Sequence, residues 1–378
     1  MNEKFMEAVS YAIESANFEL FDLLSKDFDR LEEGEKNTIL ERTVITCPNV
    51  DFIRHIFDCG FDINYQNENK NTLLHYAAVS RYPETVKFFI KAGLDLEAKN
   101  EWNATPLLAA AKECENPEVL RLLVESGADI HVKNYGGISV LITAAAFNPN
   151  PDVLRYLLTL GFDIEESDED GLTPLLACAI WNSSPAVVEA LMENGANIRE
   201  KTKRGETLLH QVAFNRNPEM ARYILPAFST SEVDNSGESA LEKVLCYGHS
   251  ADVLELFLRK MKEEHIFYAC RNENPEILET LFKFGYDSNS ADSDGMTVMM
   301  LVAKINKNPA VIRMLRFYRV IWDSRDNEGR NVLHYAASNS DPTIYNWMLE
   351  DDDFKKFAGE KDNNGRTPGY YRENPDDF

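Results

Sequence analysis

Thr105, Ser139, Thr173 and Thr207 stand at three successive spacings of 34 residues, and Thr72 lies 33 residues before the first of them. In most copies this Thr or Ser follows an Asp or Asn by five residues, usually with a Gly two residues ahead of it. Further copies fall at Ser239, Thr297, Asn331 and Thr367. A fixed period of this length means that one supersecondary unit is written again and again, and no single copy can bury its own apolar face. The 378-residue chain must therefore fold as a stack.

The text between anchors is constant in kind. "NTLLHYAA", "ATPLLAAA", "LTPLLACA", "ETLLHQVA" and "NVLHYAA" open a first short helix. An Asn-Pro-Glu-like step then opens a second, as in "ENPEVLRLLVESGADIHVKN" at 115–134. There Val119, Leu120, Leu122 and Leu123 form the expected buried face, at helical spacing. Pro117 suits a first turn, where its missing N–H has no partner to lose. Gly127 supplies the left-handed residue that ends the helix. Small residues at Ala109, Ala110 and Ala111 allow close approach of the first helix to its neighbours. Asp168–Gly171, Asp234–Gly237, Asp292–Gly295, Asp326–Gly329 and Asp362–Gly365 then read as hairpin turns, since Asp bonds its own turn and Gly follows.

On these residues the chain resembles an ankyrin-repeat protein. The family pattern, D-x-x-G-x-T-P-L-H-x-A-A followed by V-x-x-L-L-x-x-G-A-D, is met closely by 100–130 and 168–198, and the resemblance covers nearly the whole chain. It implies an all-α repeat solenoid with short β-hairpins and about eleven helix pairs. First helices would line a concave face, second helices a convex one, and hairpins would project on one side. Residues 1–36 read as an N-terminal capping repeat, 37–262 as the regular half, and 263–378 as an irregular half with a truncated C-terminal cap. From Ser239 to the next equivalent position, near Glu263, is only 24 residues, so one hairpin is expected to be missing between 256 and 268. Phe228 and Arg319 stand where the helix-ending Gly is expected.

Charge narrows the partners. With 63 acids against 39 bases the chain carries a net charge of −24. Such a surface repels nucleic acid and anionic membrane and favours basic partners. Six cysteines, none in a C-x-x-C pair, suit free thiols in a reducing, cytoplasmic setting. The start "MNEKFMEAVSYAI" is a poor signal peptide, so export would need a non-Sec route.

Catalytic motifs are missing: there is no G-x-S-x-G, P-loop, H-E-x-x-H or G-x-G-x-x-G. His75, His210 and His334 recur at one repeat position, in separate repeats, which suits a turn-stabilising hydrogen bond better than a metal site. The Asp-Gly turns fail the calcium-loop test, because position 12 would be Ala177 or Leu301. No enzyme activity, cofactor or metal is expected.

Two features stand above this background. Phe147, Ile180, Trp181, Phe214 and Tyr247 follow the first-helix alanines, and Trp102 and Tyr135 sit at hairpin tips. In this register they fall on the concave side, as interface anchors would; packing of the loop before the second helix is the competing use. "DIEESDED" at 163–170 places Glu165, Glu166, Asp168, Glu169 and Asp170 on one hairpin, as a receptor for Lys or Arg or as a solubilising tip. The expected function is a non-enzymatic scaffold that binds a partner protein or peptide on the concave groove and hairpin tips. The alternative is a microbial effector or inhibitor that uses the same surface against a host or competitor protein. A third expectation is a small-molecule pocket at the hairpin gap near 255–270.

Overall fold

The computed structural model describes residues 3–228, 232–260 and 266–378. The chain forms two compact units, Met1–Lys203 and Arg204–Phe378.

The first unit is six helix pairs: α1 (Glu3–Glu14) with α2 (Phe18–Ser25), α3 (Glu33–Thr46) with α4 (Val50–Asp58), α5 (Leu73–Val79) with α6 (Pro83–Lys91), α7 (Pro106–Glu113) with α8 (Pro117–Glu125), α9 (Val140–Phe147) with α10 (Pro151–Thr159), and α11 (Pro174–Trp181) with α12 (Pro185–Glu193). First helices pack on first helices and second on second, α5 on α7 on α9 on α11 and α6 on α8 on α10 on α12. Anchor residues cap the first helices: Thr105, Ser139 and Thr173 each accept an N–H from the residue three positions on. Between pairs the chain makes tight hairpins with little strand; the ladder reduces to bridges such as Gln66 to Thr72 and Lys133 to Ser139.

In α8 the buried residues are Val119, Leu120 and Leu123. Leu122 is only half-buried, which corrects the expectation for that position. It lies at the edge of the apolar arc, one helical step away from the seam that Leu123 fills. Likewise Ala110 and Ala111 are buried, while Ala109 is half-exposed.

The second unit holds five pairs: α13 (Leu208–Val212) with α14 (Pro218–Ile224), α15 (Ala240–Tyr247) with α16 (Ala251–Lys260), α17 (Ile266–Ala269) with α18 (Pro275–Lys283), α19 (Val298–Ile305) with α20 (Pro309–Phe317), and α21 (Val332–Ser338) with α22 (Thr343–Glu350). Two short helices follow, α23 (Asp352–Lys355) and α24 (Pro368–Glu373). Residues 261–265, at the centre of the expected hairpin gap and of the pocket expected beside it, lie outside the described residues. Helix ends without Gly are solved in two ways. Arg319 adopts the left-handed conformation itself, at φ +56°, as Gly127 does at +99° in the first unit. Phe228 instead follows a 3-10 turn, Leu225–Ala227, and is extended at φ −117°.

A buried asparagine ladder ties successive pairs within each unit. In the first, Asn148 Nδ2 donates to the carbonyls of Ala111 (3.1 Å) and Cys114 (2.8 Å), and Asn182 Nδ2 to those of Ala145 and Asn148 (2.8 Å each). In the second, Asn306 reaches Cys270 and Asn272, and Asn339 reaches Ala303 and Asn306. The ladder also crosses the short repeat: Asn272 bonds Leu245 and Gly248, 27 and 24 residues earlier. In the last copy Arg372 stands in for the asparagine and donates to the Asn339 carbonyl at 2.8 Å.

Candidate interaction surface

The recurring histidines lock hairpin to helix. Thr72 N donates to His75 Nδ1 at 3.2 Å, which leaves the ring proton on Nε2, bonded to the carbonyl of Ala104 in the next hairpin at 2.9 Å. His210 repeats this with Thr207 and Glu238, and His334 with Asn331 and Arg366. Burial lowers the pKa of all three, so the imidazoles are neutral. The Asp-Gly turns are closed in the expected way: Asp168 Oδ1 accepts the N–H groups of Asp170 and Leu172 at 2.9 Å each.

In the first unit α3, α5, α7 and α9 and the hairpins between them enclose a groove of about 450 Å³. Its walls include Tyr76, Trp102, Ala109, Lys112 and Phe147. Thr143 lines it as well; its Oγ1 is buried and has no hydrogen-bond partner among the described residues. Lys112 Nζ lies 5.8 Å from the Phe147 ring and 3.1 Å from Glu113 Oε1.

The aromatic residues singled out from sequence are placed as follows. Trp102 is 55% exposed and Trp181 46%; Tyr135, Phe147 and Tyr247 are exposed too, while Ile180 and Phe214 are half-buried. Phe147 stacks on Trp181, centroids 5.7 Å apart at 28°. Tyr135 N donates to the Trp102 carbonyl at 3.3 Å, which fixes these two hairpin tips side by side. Trp102, Tyr135, Phe147 and Trp181 thus belong together in the first unit. Phe214 and Tyr247 form a separate stacked pair in the second, at 6.4 Å.

The acidic hairpin is partly structural. Glu165 Oε1 accepts Asn197 N at 2.6 Å, and Glu166 accepts the Ser139 hydroxyl. Asp168 holds its own turn. Glu169 and Asp170 are exposed, and the Glu169 side chain lies over Gly137, beside the Tyr135 tip.

Two polar clusters carry no periodic signal in the sequence. Glu41 Oε1 accepts both Tyr65 and Tyr76 hydroxyls at 2.6 Å each; burial and that carboxylate push both phenols up, so they remain donors. In the second unit the Lys243 side chain is 10% exposed, and its Nζ meets Glu238 at 2.7 Å, Asp234 at 2.8 Å and Glu206 at 3.3 Å. All six cysteines are free thiols; burial raises the pKa of each, Cys246 to about 11.

A family model for ankyrin repeats, three copies long, matches residues 5–100, 40–134, 107–202, 184–265 and 266–358. The chain belongs to the ankyrin-repeat family. Solved structures similar to it include the ankyrin repeat domain of Bcl-3, described as a unique member of the IkappaB protein family, at 21% identity and TM-score 0.38, over 66% of this chain and 97% of that one. Another is the human ASB11 ankyrin repeat domain, at 19% identity and TM-score 0.45, over 57% of this chain and 95% of that one. No curated protein matches the sequence. Ankyrin-repeat domains generally mediate protein–protein interaction on a non-catalytic fold. The expected ankyrin solenoid fold is the one found, in helix pairs joined by hairpins almost without strand. Among the described residues no helix is long and apolar enough to cross a membrane.

Proposed function

We propose that the protein is a non-enzymatic interaction module that takes a segment of a partner protein in the groove of its first unit. Trp102 and Phe147 line the groove and Trp181 extends it, all exposed; that arrangement carries the reading. Aromatic side chains supply large contact area at small entropic cost. The exposed carboxylates of Glu169 and Asp170 favour a partner with Lys or Arg near its aromatic-binding residues.

The test is a comparison of co-purifying proteins on wild type, Trp102→Ala and Trp181→Ala. A partner held by wild type and lost from both variants, with unchanged melting curves, supports the groove. A partner retained equally by all three would place its binding elsewhere.

A further inference from the structure

The second unit contains a cage that holds one aromatic side chain. The ring of Phe378 lies 4.5 Å from Lys304 Nζ and 4.7 Å from the Arg330 guanidinium. Tyr335 and Tyr371 meet it edge-on, with centroids 4.9 and 5.1 Å away. Three walls are held from behind, independently of Phe378. Tyr335 Oη and Arg330 Nε both donate to Asp326 Oδ2 at 2.6 Å, and Tyr371 Oη donates to Asp362 Oδ2 at 2.6 Å.

Lys304 differs. Among the described residues it has no carboxylate or hydrogen-bond partner; its contacts are the ring faces of Phe378 and, at 5.9 Å, Tyr335. Half-buried beside Arg330, its pKa is lowered by desolvation and by that second positive charge. An aromatic face between two cations offsets their mutual repulsion. One residue back, Asp377 lies on a basic edge: its carbonyl accepts from Arg366 Nη1 at 3.3 Å, its carboxylate is 3.7 Å from Arg366 Nη2, and it accepts the Tyr370 hydroxyl. Asn374 to Asp377 are otherwise exposed, so the tail lies on the surface with one side chain inserted. Arg330 is matched by Asp326 and Glu328 and Arg366 meets Asp377, which leaves Lys304 as the cation of the cage that only aromatic faces contact.

We propose that Lys304, Arg330, Tyr335, Arg366 and Tyr371 form a second peptide site, selective for a partner segment that reads acidic residue then aromatic residue, with residues 374–378 as its occupant in cis. Asp377 and Phe378 show what fits. Tethered a few residues from the cage, it acts at an effective concentration on the order of millimolar, so an incoming segment must displace it. The site is separate from the groove of the first unit and does not depend on it.

The experiment uses the full chain and a fluorescent, amidated peptide with the sequence of Glu373–Phe378 as probe, read by anisotropy. Phe378→Ala vacates the cage and keeps the rest of the tail. It should bind the peptide about tenfold or more tighter than wild type does. Adding Lys304→Met should weaken that binding about fivefold or more, and a peptide ending in Ala should not bind. A chain lacking 374–378 serves as a second vacated form. Absence of saturable binding to either vacated form would overturn the site. Equal binding of the Phe and Ala peptides, or equal affinity of wild type and Phe378→Ala, would do the same. If both vacated forms lose their cooperative melt, the tail is part of the core and the site does not exist. Wild-type dimers abolished by Phe378→Ala would assign the cage to a second copy and overturn the partner-peptide reading.

Discussion

Asn182 Nδ2 sits 2.8 Å from the carbonyl of Asn148, an asparagine that performs the same task for the preceding helix pair. The second bond of Asn182, to Ala145, is also 2.8 Å, and its Oδ1 accepts Ser184 N at 2.8 Å. One side chain therefore satisfies two buried acceptors of another repeat and one donor of its own. Asn182→Ala leaves those carbonyls buried and unpaired, at about 1–3 kcal/mol each, so a total loss of about 2–5 kcal/mol is expected in urea unfolding. Asn182→Asp should be no milder, because a carboxylate cannot donate. A change of only a few tenths of a kcal/mol in Asn182→Ala would mean that water replaces the amide.

The ladder shows where the sequence stops being legible. Asn148, Asn182, Asn272, Asn306 and Asn339 each stand three residues before a Pro, namely Pro151, Pro185, Pro275, Pro309 and Pro342. The recurrence is visible; the acceptors are not, because they are main-chain carbonyls of a different repeat and leave no mark on residue type. Register was legible for the same reason that the period was: caps, turns and apolar spacing each depend on neighbours within a few residues. Glu41 and Lys304 depend on neighbours brought from elsewhere in the stack, and Lys243 joins Asp234 and Glu238 of its own hairpin to the more distant Glu206. The Leu122 position failed on finer grounds, since spacing alone does not separate the centre of an apolar arc from its edge.

Leu123→Ala and Leu122→Ala give a graded pair. Leu123 is fully buried in α8, so its truncation should cost about 2–5 kcal/mol. Leu122 is half-buried, and its truncation should cost about 1 kcal/mol. Denaturant midpoints of the two variants check the order. Equal costs would mean that the helix is rotated from the observed orientation.

Stability should fall on mild acidification through the three histidines. His75, His210 and His334 have folded pKa values below the ordinary 6.5, owing to burial. Below about pH 6.5 the unfolded chain takes up these protons first, so the unfolded state binds more protons and folding stability drops as pH falls. Above that pH both states are neutral and the effect vanishes. Urea midpoints between about pH 7.5 and about pH 5.5 should decline, and His75→Gln should flatten the decline in the first unit. An unchanged slope in the variant would remove His75 from this account.

Lys243 is the cation of its cluster. Burial pushes Asp234 up, yet the Lys243 ammonium and the turn N–H groups outweigh it and hold that carboxyl well below its usual range. For Lys243 burial acts downward, and the carboxylates reverse it, so the ammonium is kept charged. Lys243→Met leaves Glu206, Asp234 and Glu238 facing one another, at an expected cost of about 3–5 kcal/mol. Adding Glu238→Gln should recover part of that loss. Thermal and denaturant melts of the single and double variants measure both numbers. No recovery would show that repulsion is not what destabilises the single variant.

The acidic hairpin and the aromatic row should separate kinetically once a partner is in hand. Glu165 and Glu166 are engaged in bonds to Asn197 and Ser139, so changing them would confound binding with stability. Glu169 and Asp170 are exposed beside the Tyr135 tip. Glu169→Gln with Asp170→Asn should slow association with a basic partner several-fold at low salt, with little change in dissociation. The difference should shrink as ionic strength approaches about 0.5 M, where charges beyond a few ångströms are screened. Trp181→Ala should act on the other rate, speeding dissociation by an amount that corresponds to about 2 kcal/mol. Stopped-flow or surface-based kinetics on these two variants resolve the roles. If the charge variant altered dissociation and the tryptophan variant altered association, the acidic tip would be inside the contact and the aromatic row outside it.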